Sequence, residues 1–187
     1  MGRALIQGVL WHDLIYQGDS MKKQQKGFSL IELLIVVAII LIIAAIAIPN
    51  LLRSKMAANE SSAVGSCRTI NTAEVTYATA YPNVGYSVDL PSLTGVPATC
   101  ATTATSAASC LIDAVLANAT AAPTAKSGYW FGYALNGAAG GINTAYTLNA
   151  APANAGTTGQ RFFFTDQTGV IRYGLTGAAT AASSAIQ

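Results

Sequence analysis

Few side chains in this sequence are equipped for chemistry, and they are unevenly placed. The only histidine is His12, so the chain from Phe28 onward has no Ser–His or Cys–His dyad. The carboxylates after Phe28 are scattered singly, and no close pair stands ready for acid–base work. No glycine loop ending in Gly-Lys-Ser/Thr is present to cradle a phosphate. The three cysteines, Cys67, Cys100 and Cys110, form no CxxC pair and no metal-ligand spacing. In an exported domain Cys100 and Cys110 are placed to close a small loop by a disulfide and leave Cys67 free. The alternative is three reduced thiols. Tyr129, Trp130, Phe131 and Tyr133 offer either a carbohydrate platform or, the better reading of such a run, the core of a sheet. These residues predict no enzyme, no cofactor and no metal.

The residue that stands out is Glu32. It lies inside the run FSLIELLIVVAIILIIAAIAI, Phe28 to Ile48, where Ser29 is the only other polar side chain. About 21 helical residues at 1.5 Å each span roughly 30 Å, the thickness of a bilayer core. The run is apolar on every face, unlike an amphipathic surface helix, and reads as a membrane helix. Lys22, Lys23 and Lys26 precede it and are expected to stay in the cytoplasm. Arg53 and Lys55 follow, so the bias is modest. The rest of the chain then lies outside the inner membrane. An ordinary secretory signal is the competing reading, with Ala45-Ile46-Ala47 as its cleavage box. The run is longer than the usual apolar core of such signals. A carboxylate inside it also costs roughly 2.5–3.5 kcal/mol near the centre of a helix, and less near its end. No basic residue lies one turn from Glu32. Its partner must come from elsewhere, or the group must be protonated.

The segment Lys26-Gly27-Phe28-Ser29-Leu30-Ile31-Glu32-Leu33 resembles the type III signal of type IV prepilins and pseudopilins. The resemblance implies that a prepilin peptidase cuts between Gly27 and Phe28 and methylates the new amine of Phe28. It also implies that Glu32 pairs with that amine on a neighbouring subunit. Two charges costly alone would then compensate each other and fix an axial register. Pro49 falls where family helices carry a proline, which implies local melting on assembly. Without the resemblance it marks the end of the membrane segment. The implied partners are copies of the chain itself, the peptidase, the membrane before assembly and an inner-membrane assembly platform. Residues 1–27 read as leader. Residues 21–27 alone suffice for it, so 1–20 read as an over-extended start, the alternative being a long leader.

Behind the leader, residues 28–52 form the hydrophobic assembly helix and 53–187 the exported domain. Charged residues are only 10% of the chain, well below the roughly 25% of ordinary soluble domains. From Phe28 onward six basic residues (Arg53, Lys55, Arg68, Lys126, Arg161, Arg172) face six acidic ones (Glu32, Glu60, Glu74, Asp89, Asp113, Asp166). That balance leaves no basic stripe for nucleic acid. The helix is expected to continue to about residue 81 and stop at Pro82. Met56, Ala63, Cys67, Ile70, Glu74, Tyr77 and Tyr81 recur on one face of it. Residues 82–126 read as a long connection with a short helix near 111–117. Strands are expected at 127–135, 144–149, 161–165 and 170–173, the last two joined by the turn Asp166-Gln167-Thr168-Gly169. The Ala/Gly/Ser-rich tail after Gly174 reads as weakly ordered. The expected fold is α+β, a long helix packed against roughly four antiparallel strands, and the family resemblance implies the same plan.

Three functional readings follow. The first is the major subunit of a type IV pilus, in which motility, adhesion or DNA uptake would be consequences of the filament. The second is a major pseudopilin of a type II secretion system. Such pseudopilins commonly hold calcium through clustered acids, whereas Asp166 stands nearly alone after Asp113. The third is a secreted or membrane-anchored binding domain that never polymerises.

Overall fold

A computed structural model describes residues 27–95, 100 and 103–186. The leader before Gly27, including Met21, lies outside the described residues. The chain divides into two compact units, Met1–Ile43 and Ala44–Gln187. Helix α1 (Leu30–Ala80) begins in the first and runs into the second.

In the first unit the described residues are the apolar start of α1, with every side chain exposed. The most apolar window of α1 has a mean hydropathy of 3.3, and this is the one described helix long and apolar enough to cross a membrane. In the second unit α1 continues through Pro49. That proline has no N–H to donate, so the Ala45 carbonyl one turn earlier loses its helical partner.

Helix α1 buries one face, made of Ala63, Ser66, Cys67, Ile70, Asn71, Ala73, Glu74 and Tyr77. Spacings of three and four residues put these side chains on one stripe. Met56 and Tyr81, at its two ends, are half-buried. The stripe meets a five-stranded antiparallel sheet built from β1 (Tyr129–Leu135), β4 (Tyr146–Pro152), β5 (Phe162–Asp166), β6 (Arg172–Gly174) and β7 (Ser184–Ala185). The spatial order is β1-β4-β5-β6-β7. Strict alternation along β4 buries Tyr146, Leu148, Ala150 and Pro152. Tyr129, Phe131 and Phe163 join them against Ile70 and Tyr77 in a single core. Asn71 ties the layers together. Its Nδ2 donates to Thr165 Oγ1 at 2.9 Å, and its Oδ1 accepts from the Tyr146 hydroxyl at 3.0 Å.

The expected four strands are present, and a fifth was missed. The tail returns as β7, pairing Arg172 with Ala185 and Tyr173 with Ser184. Ile186 then packs on the core and donates its N–H to Ile171 O at 2.9 Å. A small-residue composition hides such an edge strand, because backbone pairing rather than side-chain burial holds it. A two-stranded ribbon, β2 (Ala138–Ala139) and β3 (Ile142–Asn143), was also missed. Its turn, Gly140–Gly141, has φ of 61° and 85°, which side-chain-bearing residues rarely adopt. Asn143 of β3 then bonds the backbone of Val84 and Tyr86 and so holds the chain leaving α1. The expected turn at Asp166–Gly169 is closed by a bond from Gly169 N–H to Asp166 O at 2.9 Å.

Within the long connection, the described pieces of regular structure are 3₁₀ turns at Pro91–Leu93 and Ala122–Thr124 and helix α2 (Ala114–Ala117). Asp113 caps α2 by accepting from Leu116 N–H at 2.9 Å and pairs with Lys126 at 3.0 Å. These bonds hold the Asp113 carboxyl below its usual range, the cap contributing most.

Candidate functional site

Three residues expected from the sequence to serve processing and assembly, Gly27, Phe28 and Glu32, sit at or just before the start of α1. Gly27, Phe28 and Ser29 precede the helix, and Glu32 lies in its first turn. The Gly27–Phe28 bond is therefore in non-helical chain. Phe28 is 73% exposed. A Cβ built on Gly27 would meet nothing within 4 Å. The chain itself does not demand glycine there, so a need for a small residue would come from the enzyme. A carboxylate in the first turn suits the positive end of the helix dipole. Yet Glu32 is exposed and has no hydrogen bond or ion pair among the described residues. Its neighbours are exposed leucine, isoleucine and valine side chains. The bond after Gly27 and the carboxylate of Glu32 thus share one short apolar segment, and Pro49 lies farther along the same helix.

The second unit holds its chemistry in reserve positions. Cys100 and Cys110 are joined by a disulfide with Cα atoms 5.7 Å apart. Gly95 packs directly on it, and a Cβ there would lie 2.7 Å from Cys100 Sγ. Cys67 is fully buried, and loss of solvation pushes its thiol up to about 12. Such a thiol stays protonated and is no nucleophile at neutral pH. Tyr129 and Phe131 are buried on the inner face of β1, while Trp130 is half-buried on the opposite face. Strand alternation thus splits the four aromatics and gives them no common platform.

Two carboxylates carry bonds that sequence spacing did not show. Glu74 is fully buried, accepting from Ser87 N–H at 2.9 Å and Ser87 Oγ at 2.5 Å. Ser87 O accepts from the Tyr133 hydroxyl at 2.9 Å. Burial raises the Glu74 carboxyl above its usual range, and the Ser87 and Tyr133 hydrogen bonds only partly offset it. Glu60 accepts from the N–H groups of Gln160 and Arg161 at 2.9 and 3.2 Å, and its other oxygen lies 3.5 Å from the Arg161 guanidinium. Both are fastenings of loop and sheet onto α1. Among the described residues no three His, Cys, Asp or Glu side chains gather into a metal-sized cluster.

The likeness to known proteins lies at the signal-bearing end. A family model described as a prokaryotic N-terminal methylation motif matches residues 22–48. That motif lies on the long apolar helix of an α+β arrangement whose antiparallel sheet completes a pilin-like fold, so the chain is similar to type IV pilins at its signal-bearing end. A relative is the type IV wide pilus major component PilA4 of Thermus thermophilus, 59% identical over 39 residues. The match covers 21% of this chain and 30% of that protein, so it spans less than a third of the relative's length. No solved structure matches.

Proposed function

We propose that this chain is the major structural subunit of a type IV pilus. A prepilin peptidase cuts it between Gly27 and Phe28 and methylates the Phe28 amine, and an inner-membrane platform then adds the subunit to a filament. Before assembly residues 28–52 anchor the precursor in the inner membrane, with residues 53–187 on the far side. After assembly the anchor helices bundle in the filament core and the sheet domains form its wall. The observation that carries this reading is Glu32, a carboxylate in an apolar helix with no cation among the described residues. Cleavage four residues before it creates a cation, the amine of Phe28 on a second subunit. Each group then removes the desolvation cost of the other. Pro49 leaves an unbonded carbonyl at Ala45, which gives the helix a place to loosen as subunits pack.

The test is the composition of sheared surface filaments. The reading expects this chain as their main component, with an intact mass that begins at a monomethylated Phe28. Glu32→Ala should be processed normally and yet be missing from filaments. Normal filaments from Glu32→Ala would refute the pairing. Filaments only on overproduction, with loss of protein secretion on deletion, would move the chain to a secretion pseudopilus.

A further inference from the structure

The charges of the second unit are segregated. Lys126 is paired with Asp113, Arg161 with Glu60, and Arg172 donates to Ser183 O at 3.0 Å. The remaining cations, Arg53, Lys55 and Arg68, all stand on α1, and no hydrogen bond or ion pair engages their side chains among the described residues. The exposed carboxylate of Asp89 lies off the helix and has no cation against it among the described residues. Its Oδ1 accepts from Ser92 N–H and Oγ, which leaves Oδ2 free.

Each of these partners has an apolar companion. Arg68 stands at the rim of a groove of about 340 Å³ between α1 and the connection, lined by Thr69, Thr72, Ala73, Thr76 and Leu111. The threonine hydroxyls are spent inside the helix. Thr69 donates to Gly65 O, Thr72 to Arg68 O and Thr76 to Thr72 O, at 2.8–3.1 Å. Their methyl groups are what the groove offers. Beside Asp89, Val88 is 56% exposed, an apolar side chain at the corner of a loop held firmly by Glu74 through Ser87. Among the described residues Asp166 also lacks a cation, but its immediate neighbours, Thr165 and Gln167, are polar, and Val170 at the end of its turn is less exposed than Val88, 38% against 56%.

We propose that the Val88–Asp89 corner of one copy of this chain seats in the Arg68–Leu111 groove of another. Val88 lies on the threonine methyls and Leu111, and Asp89 Oδ2 meets the Arg68 guanidinium. This inference rests on the filament reading and names a contact within it. Corner and groove are different surfaces of one molecule, so the contact is heterologous and repeats without using itself up. It also fixes an offset. Asp89 lies level with the helix turn of Glu74–Tyr77, through the Ser87 bonds. That turn is six to nine residues beyond Arg68, so each copy is displaced along α1 by roughly 9–14 Å.

The test uses the full chain in cells that assemble it. Arg68→Glu and Asp89→Arg should each cut sheared-filament yield at least tenfold, with the membrane precursor pool unchanged. The double variant restores the attraction in reverse and should return to within threefold of wild type. Single variants that assemble normally, or a double variant no better than the singles, would overturn the contact while wild-type filaments leave the pilus reading standing. Absence of wild-type filaments would instead remove the pilus reading itself. A second measurement does not depend on variant yield: Arg68→Cys with Asp89→Cys, oxidised in filaments, should give subunit ladders on non-reducing gels. Monomers alone would refute the contact.

Discussion

Glu74 offers a quantitative check on how the helix–sheet domain is held together. It is fully buried and no cation lies against it, so three groups define its energy: Ser87 N–H, Ser87 Oγ and the Tyr133 hydroxyl. Glu74→Ala strips the buried Ser87 donors of their acceptor and leaves a cavity. An orphaned buried donor costs about 1–3 kcal/mol, so a total of about 3 kcal/mol is expected. For a domain of this size that lowers the melting temperature by roughly 6–12 °C. Glu74→Gln keeps the shape and an acceptor but removes the ionisation. Because burial raises the folded-state pKa, the glutamate's contribution is fully present below its unfolded value of 4.5 and is lost as pH rises through the folded value. The Gln variant should therefore gain on wild type as pH rises above 4.5, by at most about 1.4 kcal/mol per unit. Thermal melts of the intact chain in detergent from pH 4 to pH 8, followed by near-ultraviolet circular dichroism, read both effects. A difference between Gln and wild type that is flat with pH would refute the assignment of Glu74 as a desolvated carboxylate. A melting temperature unmoved by Glu74→Ala would refute its role as the loop's anchor.

Other consequences follow from the same bonds. Glu60→Ala frees the N–H groups of Gln160 and Arg161, and a loss of about 1.4 kcal/mol speeds their hydrogen exchange about tenfold. Replacing Cys100 and Cys110 by serine opens a ten-residue separation and should cost about 3 kcal/mol, seen as a lower melting temperature under non-reducing conditions. Gly159→Ala forces a methyl to within 2.7 Å of Cζ in the Tyr129 ring, whose hydroxyl donates to Arg161 O. A destabilisation of about 1–3 kcal/mol in denaturant melts is expected.

Helix α1 was legible because its buried stripe repeats at helical spacing from Ala63 to Tyr77, and its first part because apolar length is a local property. The aromatic alternation of YWFGYAL and TAYTLN likewise announced β1 and β4. What spacing could not show were bonds between distant residues. Glu60 meets residues a hundred positions later, and Glu74 meets a serine in a loop that looked featureless. Strands β2, β3 and β7 are two residues each, too short to display any period. At the candidate site, Glu32 was conspicuous in the sequence because it broke an apolar run, and the structure adds that it stands in the first turn with no partner within its described surroundings.

The burial of Cys67 bears on which disulfide the folded domain keeps. The sequence has three cysteines, and in an unfolded chain any two can be oxidised together. Only after α1 has docked on the sheet is Cys67 sealed at 0% exposure, leaving Cys100 and Cys110 as the accessible pair. Docking of α1 therefore keeps the Cys100–Cys110 disulfide out of reach of exchange with the third thiol. An oxidase acting earlier would trap a crosslink through residue 67 that prevents the helix from closing.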